Sequence, residues 1–167
     1  MKRNAYWIWE TDQFIYGKQS VFFRRTFDYK KGKPLSVMVS ADSRFKLYVN
    51  GRYVISGPMK GDKFRKYYDT VDITSYLQEG KNMIAHVLRF PEDYLAAMNF
   101  HCGPISLTGS SRGGFWLDSK DADICTDSRW KCKPDASYQF REAEESKYAG
   151  DQELCFADRY EQGWNQT

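Results

Sequence analysis

Short segments of alternating hydrophobic and polar residues, separated by turn-forming residues, run through most of the chain. This period-two alternation is typical of half-buried β-strands, whereas amphipathic helices repeat every three to four residues. Strands are predicted at residues 21–27, 35–41, 45–49, 52–55, 66–73, 82–90, 113–117 and 122–125. Because loops rather than helices connect them, we predict an all-β protein, an antiparallel β-sandwich of jelly-roll type.

A β-hairpin at Asn50-Gly51 is the clearest local prediction. Segment 45–49 alternates in hydrophobicity, and Asn-Gly supplies the two positive φ angles that a two-residue type I′ turn requires before the chain returns at 52–55. The residues expected in the core of the sandwich are Phe45, Leu47, Val49, Ile84 and Val87.

Three features modify this picture. A single helical turn is predicted at Thr74–Leu77, capped by Asp72 or Thr74. Arg25 falls on the apolar face of the first strand, so its guanidinium must reach a rim or a partner. The charged stretch 141–152 predicts a mobile or helical excursion, which makes residues 141–167 peripheral to a single domain spanning 1–167.

Charge and hydropathy exclude two classes of partner. The 25 Lys and Arg residues and 22 Asp and Glu residues are scattered, so the net charge of +3 comes without a basic run, and no nucleic-acid partner is expected. No stretch approaches the ~18 apolar residues of a membrane span, so no membrane association is expected. The N-terminus shows no secretion signal, which favours either a cytoplasmic protein or a segment excised from a longer chain.

The cysteines and histidines do not have the spacing of a metal site. Cys102, Cys125, Cys132 and Cys155 form no CxxC pair, and the two histidines are fifteen residues apart. We therefore predict free thiols, with a Cys125–Cys132 disulfide as the alternative in an oxidising compartment. His86, inside a predicted strand, is expected to be structural. No cofactor is predicted; structural Ca²⁺ is the minor alternative, because no dense acidic loop is present.

The run Ser40–Gly51, which reads SADSRFKLYVNG, resembles the N-terminal β-sandwich of bacterial α-L-rhamnosidases, a galactose-binding-like jelly roll. The resemblance covers roughly residues 5–164. The chain reads Ala157-Asp158-Arg159 where that family usually has Asp-Ala-Arg. Further matching elements are Arg24–Phe27, Gly57-Pro58, Tyr68–Thr74, Leu77, Glu79–Asn82, Thr126–Lys131 and Gly163-Trp164.

The resemblance implies a non-catalytic role for this chain. Such enzymes hydrolyse terminal L-rhamnose with inversion, using carboxylates of an (α/α)₆ barrel that follows the sandwiches. We therefore expect a module of a larger glycoside hydrolase, with the catalytic barrel of the same polypeptide as its partner and no catalytic residue of its own. Four aspartates lie in turn or strand-end contexts that favour backbone capping over acid–base chemistry, namely Asp42, Asp62, Asp69 and Asp72.

A carbohydrate-binding module that recognises L-rhamnose-type sugars is the alternative function. Its predicted site lies where loops meet strand ends and comprises Arg44, Arg65, Tyr67 and Asp69. The tryptophans are expected in the core or in packing between domains rather than as sugar platforms; they are Trp7, Trp9, Trp116, Trp130 and Trp164.

Overall fold

The computed structural model describes residues 5–10, 19–42, 44–58, 65–90, 113–120, 124–141 and 152–166, with the backbone alone for 86–90 and 152. The strands are β1 (Gln19–Tyr29), β2 (Ser36–Ala41), β3 (Arg44–Val49), β4 (Arg52–Gly57), β5 (Asp69–Asp72), β6 (Gly80–Phe90), β7 (Phe115–Asp118), β8 (Lys131–Pro134), β9 (Tyr138–Arg141) and β10 (Gln152–Cys155). Two 3₁₀ turns span Thr74–Tyr76 and Ala157–Arg159. Within these ranges no helix has the length and apolar character needed to cross a membrane.

The strands form an antiparallel β-sandwich, as the sequence predicts. One sheet has five strands in the order β4-β3-β6-β1-β8, and the facing sheet has three in the order β5-β2-β7. Strands β9 and β10 pair separately. The longest ladder joins β1 to β6 from Gln19↔Phe90 to Tyr29↔Gly80.

The hydrophobic core lies between the two sheets because alternate residues of each strand point inward. Phe23 of β1, Leu47 of β3 and Leu117 of β7 are fully buried there. The predicted core positions Phe45, Leu47, Val49 and Ile84 are confirmed as members of this cluster. The side chains of Val87 and His86 lie outside the described part of β6.

The predicted hairpin is confirmed between β3 and β4. Asn50 and Gly51 have φ angles of 50° and 77°, the left-handed values that a type I′ turn requires. The Asn50 side chain also ties this turn to β6, since its Oδ1 accepts from the Met83 backbone N–H at 2.8 Å. The turn is therefore fixed by tertiary contacts as well as by its own sequence.

The C-terminal segment covers part of the outer face of the five-stranded sheet. Trp164 is buried and stacks on Phe22 of β1, with ring centroids 4.3 Å apart. Its indole N–H donates to the hydroxyl of Tyr160 at 2.7 Å. A second hydrophobic cluster therefore lies outside the sandwich core. The extent of the domain stays a prediction.

One strand-level prediction is wrong. Ile124 and Cys125, the described part of the predicted strand 122–125, are not in a strand. The reason is that the Cys125 carbonyl accepts from side chains, Arg25 Nη1 at 2.7 Å and Trp130 Nε1 at 3.0 Å, rather than from a neighbouring strand. The excursion predicted over 141–152 lies outside the described residues except for its ends, where Arg141 pairs with Gln152 between β9 and β10.

Several smaller predictions can also be resolved. The helical turn is confirmed as 3₁₀ at Thr74–Tyr76, and Asp72 Oδ1 accepts from the Thr74 backbone N–H at 2.8 Å. The Arg25 guanidinium does reach a partner, the Cys125 carbonyl. Cys125 and Cys132 are free thiols, so the alternative disulfide between them is absent from the structure. Cys102 lies outside the described residues.

Candidate functional site

The structure places two of the four predicted sugar-binding residues, Arg44 and Asp69, on opposite sides of a strand end. Arg44 is exposed at the start of β3, and its neighbour Phe45 points into the core, so Arg44 points outward. Asp69 lies on the other side. A β-carbon built on Gly57 would lie 2.8 Å from Asp69 Oδ2 and 2.9 Å from the inward Phe45 ring. Arg44 and Asp69 therefore approach the end of β4 from opposite faces.

Arg44 lines a small polar cleft at this strand end. The cleft has a volume of about 340 Å³ and combines the cations Arg44 and Lys46 with the carboxylate of Glu153. Arg65, Tyr67 and Asp69 do not line it. Of the four predicted residues, this cleft therefore contains Arg44 alone.

Three exposed aromatic rings and one buried one lie on the outer face of the three-stranded sheet. We call this surface the aromatic face; it comprises Trp7, Tyr67, Tyr68 and Trp116. Trp7, Tyr67 and Tyr68 are 48%, 49% and 43% exposed, and the rings of Tyr68 and Trp116 are 5.9 Å apart. Trp7 is consequently not a core residue, whereas Trp116, Trp130 and Trp164 are buried as expected.

An ion pair adjoins the aromatic face. Lys66 Nζ lies 2.8 Å from Asp42 Oδ1, and the Asp42 side chain is buried. Asp42 therefore forms an ion pair with Lys66, and the backbone cap expected for it stays a prediction. Gly114 leaves space at this point, since a β-carbon there would lie 2.8 Å from Trp7 Cε3 and 3.8 Å from Asp42 Cβ.

The aromatic face and the ion pair beside it have side chains of the kind that can bind a saccharide. Aromatic faces pack on the apolar side of a sugar ring, and fixed charged groups beside them bind hydroxyls. The segment that carries Tyr67 is held to β2, because the Ser40 hydroxyl donates to the Tyr67 carbonyl at 2.6 Å. Sequence reasoning identified Tyr67 but missed Trp7, Lys66 and Asp42, since their proximity depends on how residues 5–10 pack beside β7.

A larger cleft lies along β1 on the five-stranded sheet. We call it the β1 cleft; its volume is about 680 Å³. Residues lining the cleft are Arg24, Arg25, Thr26, Phe27, Asp28, Met83, Ile124, Arg129, Lys131 and Gln166. No sequence pattern predicts this cleft, because its walls come from distant segments that meet only in the folded sheet.

Asp127 organises the arginines beside the β1 cleft. Its Oδ2 accepts from Arg129 Nε at 2.8 Å and lies 3.5 Å from Arg25 Nη1. Partial burial acts to raise the pKa of Asp127. The hydrogen bonds from the Arg129 side chain and backbone, and the charges of Arg25 and Arg129, outweigh burial and lower this pKa below its ordinary value. Asp127 is therefore a carboxylate at neutral pH.

Among the described residues no group of three His, Cys, Asp or Glu side chains is placed to hold a metal ion. Cys132 is exposed on β8, but partial desolvation of its thiol and the charge of Glu10 raise its pKa. It is therefore a neutral thiol at physiological pH.

Comparison with known proteins gives structural neighbours alone. No protein-family model and no curated protein matches the sequence. The GH78 family rhamnosidase of Bacillus sp. GL1 aligns with 99% of this chain at a TM-score of 0.76 and 24% identity. The α-L-rhamnosidase of Dictyoglumus thermophilum aligns with 89% at a TM-score of 0.63 and 20% identity. The enzyme of Aspergillus terreus aligns with 95% at a TM-score of 0.63 and 19% identity.

The aligned region is a small part of each enzyme. The chain spans 17%, 16% and 18% of the lengths of these three rhamnosidases. At these identities the similarity concerns the fold, and it confirms the fold that the sequence resemblance implied. The chain therefore has the antiparallel β-sandwich fold that forms one part of GH78 α-L-rhamnosidases.

Proposed function

We propose that this chain is a non-catalytic β-sandwich module of an α-L-rhamnosidase-like glycoside hydrolase and packs on the catalytic (α/α)₆ barrel of the same polypeptide. The observation that carries this proposal is the alignment of 99% of the chain with only 17% of the Bacillus enzyme. A segment of that size supports or positions the remainder of an enzyme more readily than it contains the active site. The role requires no cofactor, and structural Ca²⁺ stays the alternative.

The aromatic face supports a packing role. Several large exposed rings on one face of a sheet are uncommon on isolated soluble domains, and such apolar surfaces often meet a partner. Tyr6, 69% exposed, extends the exposed rings beyond Trp7 along the chain. We propose this face as the surface that contacts the barrel.

An assay of hydrolysis tests the non-catalytic role. The purified chain is incubated with 4-nitrophenyl α-L-rhamnopyranoside, and release of 4-nitrophenol is followed by absorbance. We expect no release above that of buffer. Glu153 lines the cleft beside Arg44, and Asp28 lines the β1 cleft. Turnover that copurifies with the chain and is abolished by Glu153→Gln or Asp28→Asn would contradict the proposal.

Carbohydrate binding is the second candidate function, and the Lys66–Asp42 pair beside exposed Trp7 favours it. In that case the module binds L-rhamnose-type sugars through the aromatic face, which includes the predicted site residue Tyr67. A neutral hydrogen bond contributes about 0.5–1.5 kcal/mol, so dissociation constants in the millimolar to high micromolar range are expected.

An NMR titration with L-rhamnose, and with D-glucose as the control sugar, separates the two functions. Sugar binding predicts rhamnose-specific shifts near Tyr67 and Asp69 that Tyr67→Ala abolishes. Tyr53→Ala is the matched control, because Tyr53 is similarly exposed, at 52%, but lies on β4 of the other sheet. Flat titrations with both sugars to tens of millimolar would leave the packing role alone.

A further inference from the structure

Two cations face each other where the β1–β8 ladder ends. Arg24 of β1 pairs directly with Lys131 of β8 in an antiparallel register. Directly opposed side chains in such a pair have β-carbons about 4.5–5.5 Å apart and point to the same face, so like charges there destabilise the sheet. Since Arg25 points into the sandwich, Arg24 and Lys131 both point outward.

Nothing in the described part of the chain neutralises this pair. Arg24 Nη1 makes a long contact, 3.4 Å, with the neutral carbonyl of Trp164, and Lys131 has no carboxylate partner there. Lys133, two residues along the same strand, differs, because its Nζ lies 2.5 Å from Glu161 Oε2. The uncompensated positive charge is therefore local to Arg24 and Lys131.

Arg24 and Lys131 both line the β1 cleft. Five consecutive residues from Arg24 to Asp28 line this cleft, so it follows this stretch of β1. Strand β8 pairs with β1 only as far as Arg24, so the edge of β1 beyond Arg24 is not covered by β8. The cleft volume of about 680 Å³ is within the range of small-molecule sites, about 300–1,000 Å³.

The other outward side chains of the cleft indicate a hydroxylated ligand. Thr26 and Asp28 follow Arg24 on the same face of β1, and Gln166 also lines the cleft. At about 3.4 Å per residue, Arg24 and Asp28 are separated by roughly 14 Å along the strand. The Asp28 carboxylate accepts well from hydroxyl groups, which favours a ligand that carries hydroxyls as well as a negative charge.

From this combination we propose that the β1 cleft binds a uronic acid residue within an acidic oligosaccharide. The sugar carboxylate lies between Arg24 and Lys131 and removes their mutual repulsion, and the hydroxyls of the same or the next ring bond to Thr26, Asp28 and Gln166. The charge argument does not depend on the proposed function, because it rests on the register of β1 and β8 alone.

The test is an NMR titration of the assigned chain with sodium D-glucuronate, at ionic strength held constant with NaCl. D-glucose and sodium acetate are the control ligands. We expect glucuronate to shift the backbone amides of residues 24–28 and 131, whereas glucose and acetate leave them unchanged at the same concentration. Equal shifts with acetate would show non-specific anion binding and overturn the proposal, as would equal shifts with glucose or no shifts with glucuronate.

Two lysines on one strand provide matched variants. Lys131→Gln should weaken glucuronate binding about tenfold, the effect of losing one charge-assisted hydrogen bond, whereas Lys133→Gln should change it less than about twofold. Arg24→Gln is the second variant and should act as Lys131→Gln does. Equal weakening by Lys131→Gln and Lys133→Gln would overturn the proposal. Binding of a hexaglutamate peptide to this edge, together with no binding of glucuronate, would indicate a docking surface for an acidic peptide. That result would also overturn the proposal.

Discussion

Asn82 is expected to be the most sensitive polar position of the sandwich. Its side chain is fully buried at the start of β6 and makes four hydrogen bonds. The amide Nδ2 donates to the carbonyls of Gln78 and Gly80, both at 2.8 Å. The Oδ1 accepts from Asn50 Nδ2 at 2.8 Å and from the Gln78 backbone N–H at 2.9 Å. Asn82 thereby joins the β3–β4 turn to the turn that precedes β6.

The effect of Asn82→Ala can be worked from these contacts. Each neutral hydrogen bond contributes about 1 kcal/mol, so losing four should lower the free energy of unfolding by about 4 kcal/mol. That is a large part of the 5–15 kcal/mol typical of a domain. For a chain of this size it should lower the Tm by about 8–16 °C.

Urea unfolding followed by tryptophan fluorescence measures this loss. Gln139→Ala is the control, because Gln139 is exposed on β9 and should change stability by less than about 0.5 kcal/mol. Asn82→Asp keeps the shape but places an acceptor against the Gln78 and Gly80 carbonyls, so it should destabilise about as much as Asn82→Ala. Wild-type stability in Asn82→Asp, or a loss below about 1 kcal/mol in Asn82→Ala, would refute the reasoning.

Three further predictions concern other parts of the sandwich. Trp164→Ala should cost about 3–5 kcal/mol because it empties the outer-face cluster, whereas Trp7→Ala, at a half-exposed ring, should cost much less; thermal unfolding compares the two. Hydrogen bonds from the Thr74 hydroxyl and backbone lower the pKa of Asp72 in the folded protein. The ionised Asp72 side chain therefore stabilises the fold fully above the ordinary carboxyl pKa, and this stabilisation is lost as the pH falls through the lower pKa of the folded state. The stability difference between wild type and Asp72→Ala should therefore be constant from about pH 5 to 7 and shrink towards about pH 2 in urea titrations. Because its pKa is raised, the Cys132 thiol should react with iodoacetamide at pH 7 more slowly than the thiol of a cysteine peptide, which mass spectrometry can measure. An equal rate would contradict that pKa shift.

The sequence predicted the fold correctly where the hydrophobic pattern of a segment matches the position of its residues in the sandwich. Asn50-Gly51 requires positive φ angles that the hairpin supplies, and the alternation in β3 places Leu47 in the core. Strand β8 was missed because all four of its residues are exposed, so no alternation marks it. Ile124 was assigned wrongly to a strand. It is buried and apolar, and a buried apolar residue in an irregular segment has the same sequence pattern as one in a strand.

The candidate sites were less predictable, since they depend on which face and which register a residue takes. Arg44 and Asp69 are both polar strand-end residues in the sequence, yet they approach the sandwich from opposite sides. The opposed Arg24 and Lys131 are distant in sequence and become neighbours only through the β1–β8 register. No local pattern contains that information.

The central claim, that this chain is one module of a larger glycoside hydrolase, is tested most directly by the mass of the native protein. An antibody raised against the purified chain is used to probe an extract of the source cells. The account predicts a band about six times heavier than the 19.6 kDa of this chain, as the 17% share of the Bacillus enzyme implies. A band at 19.6 kDa alone would contradict it.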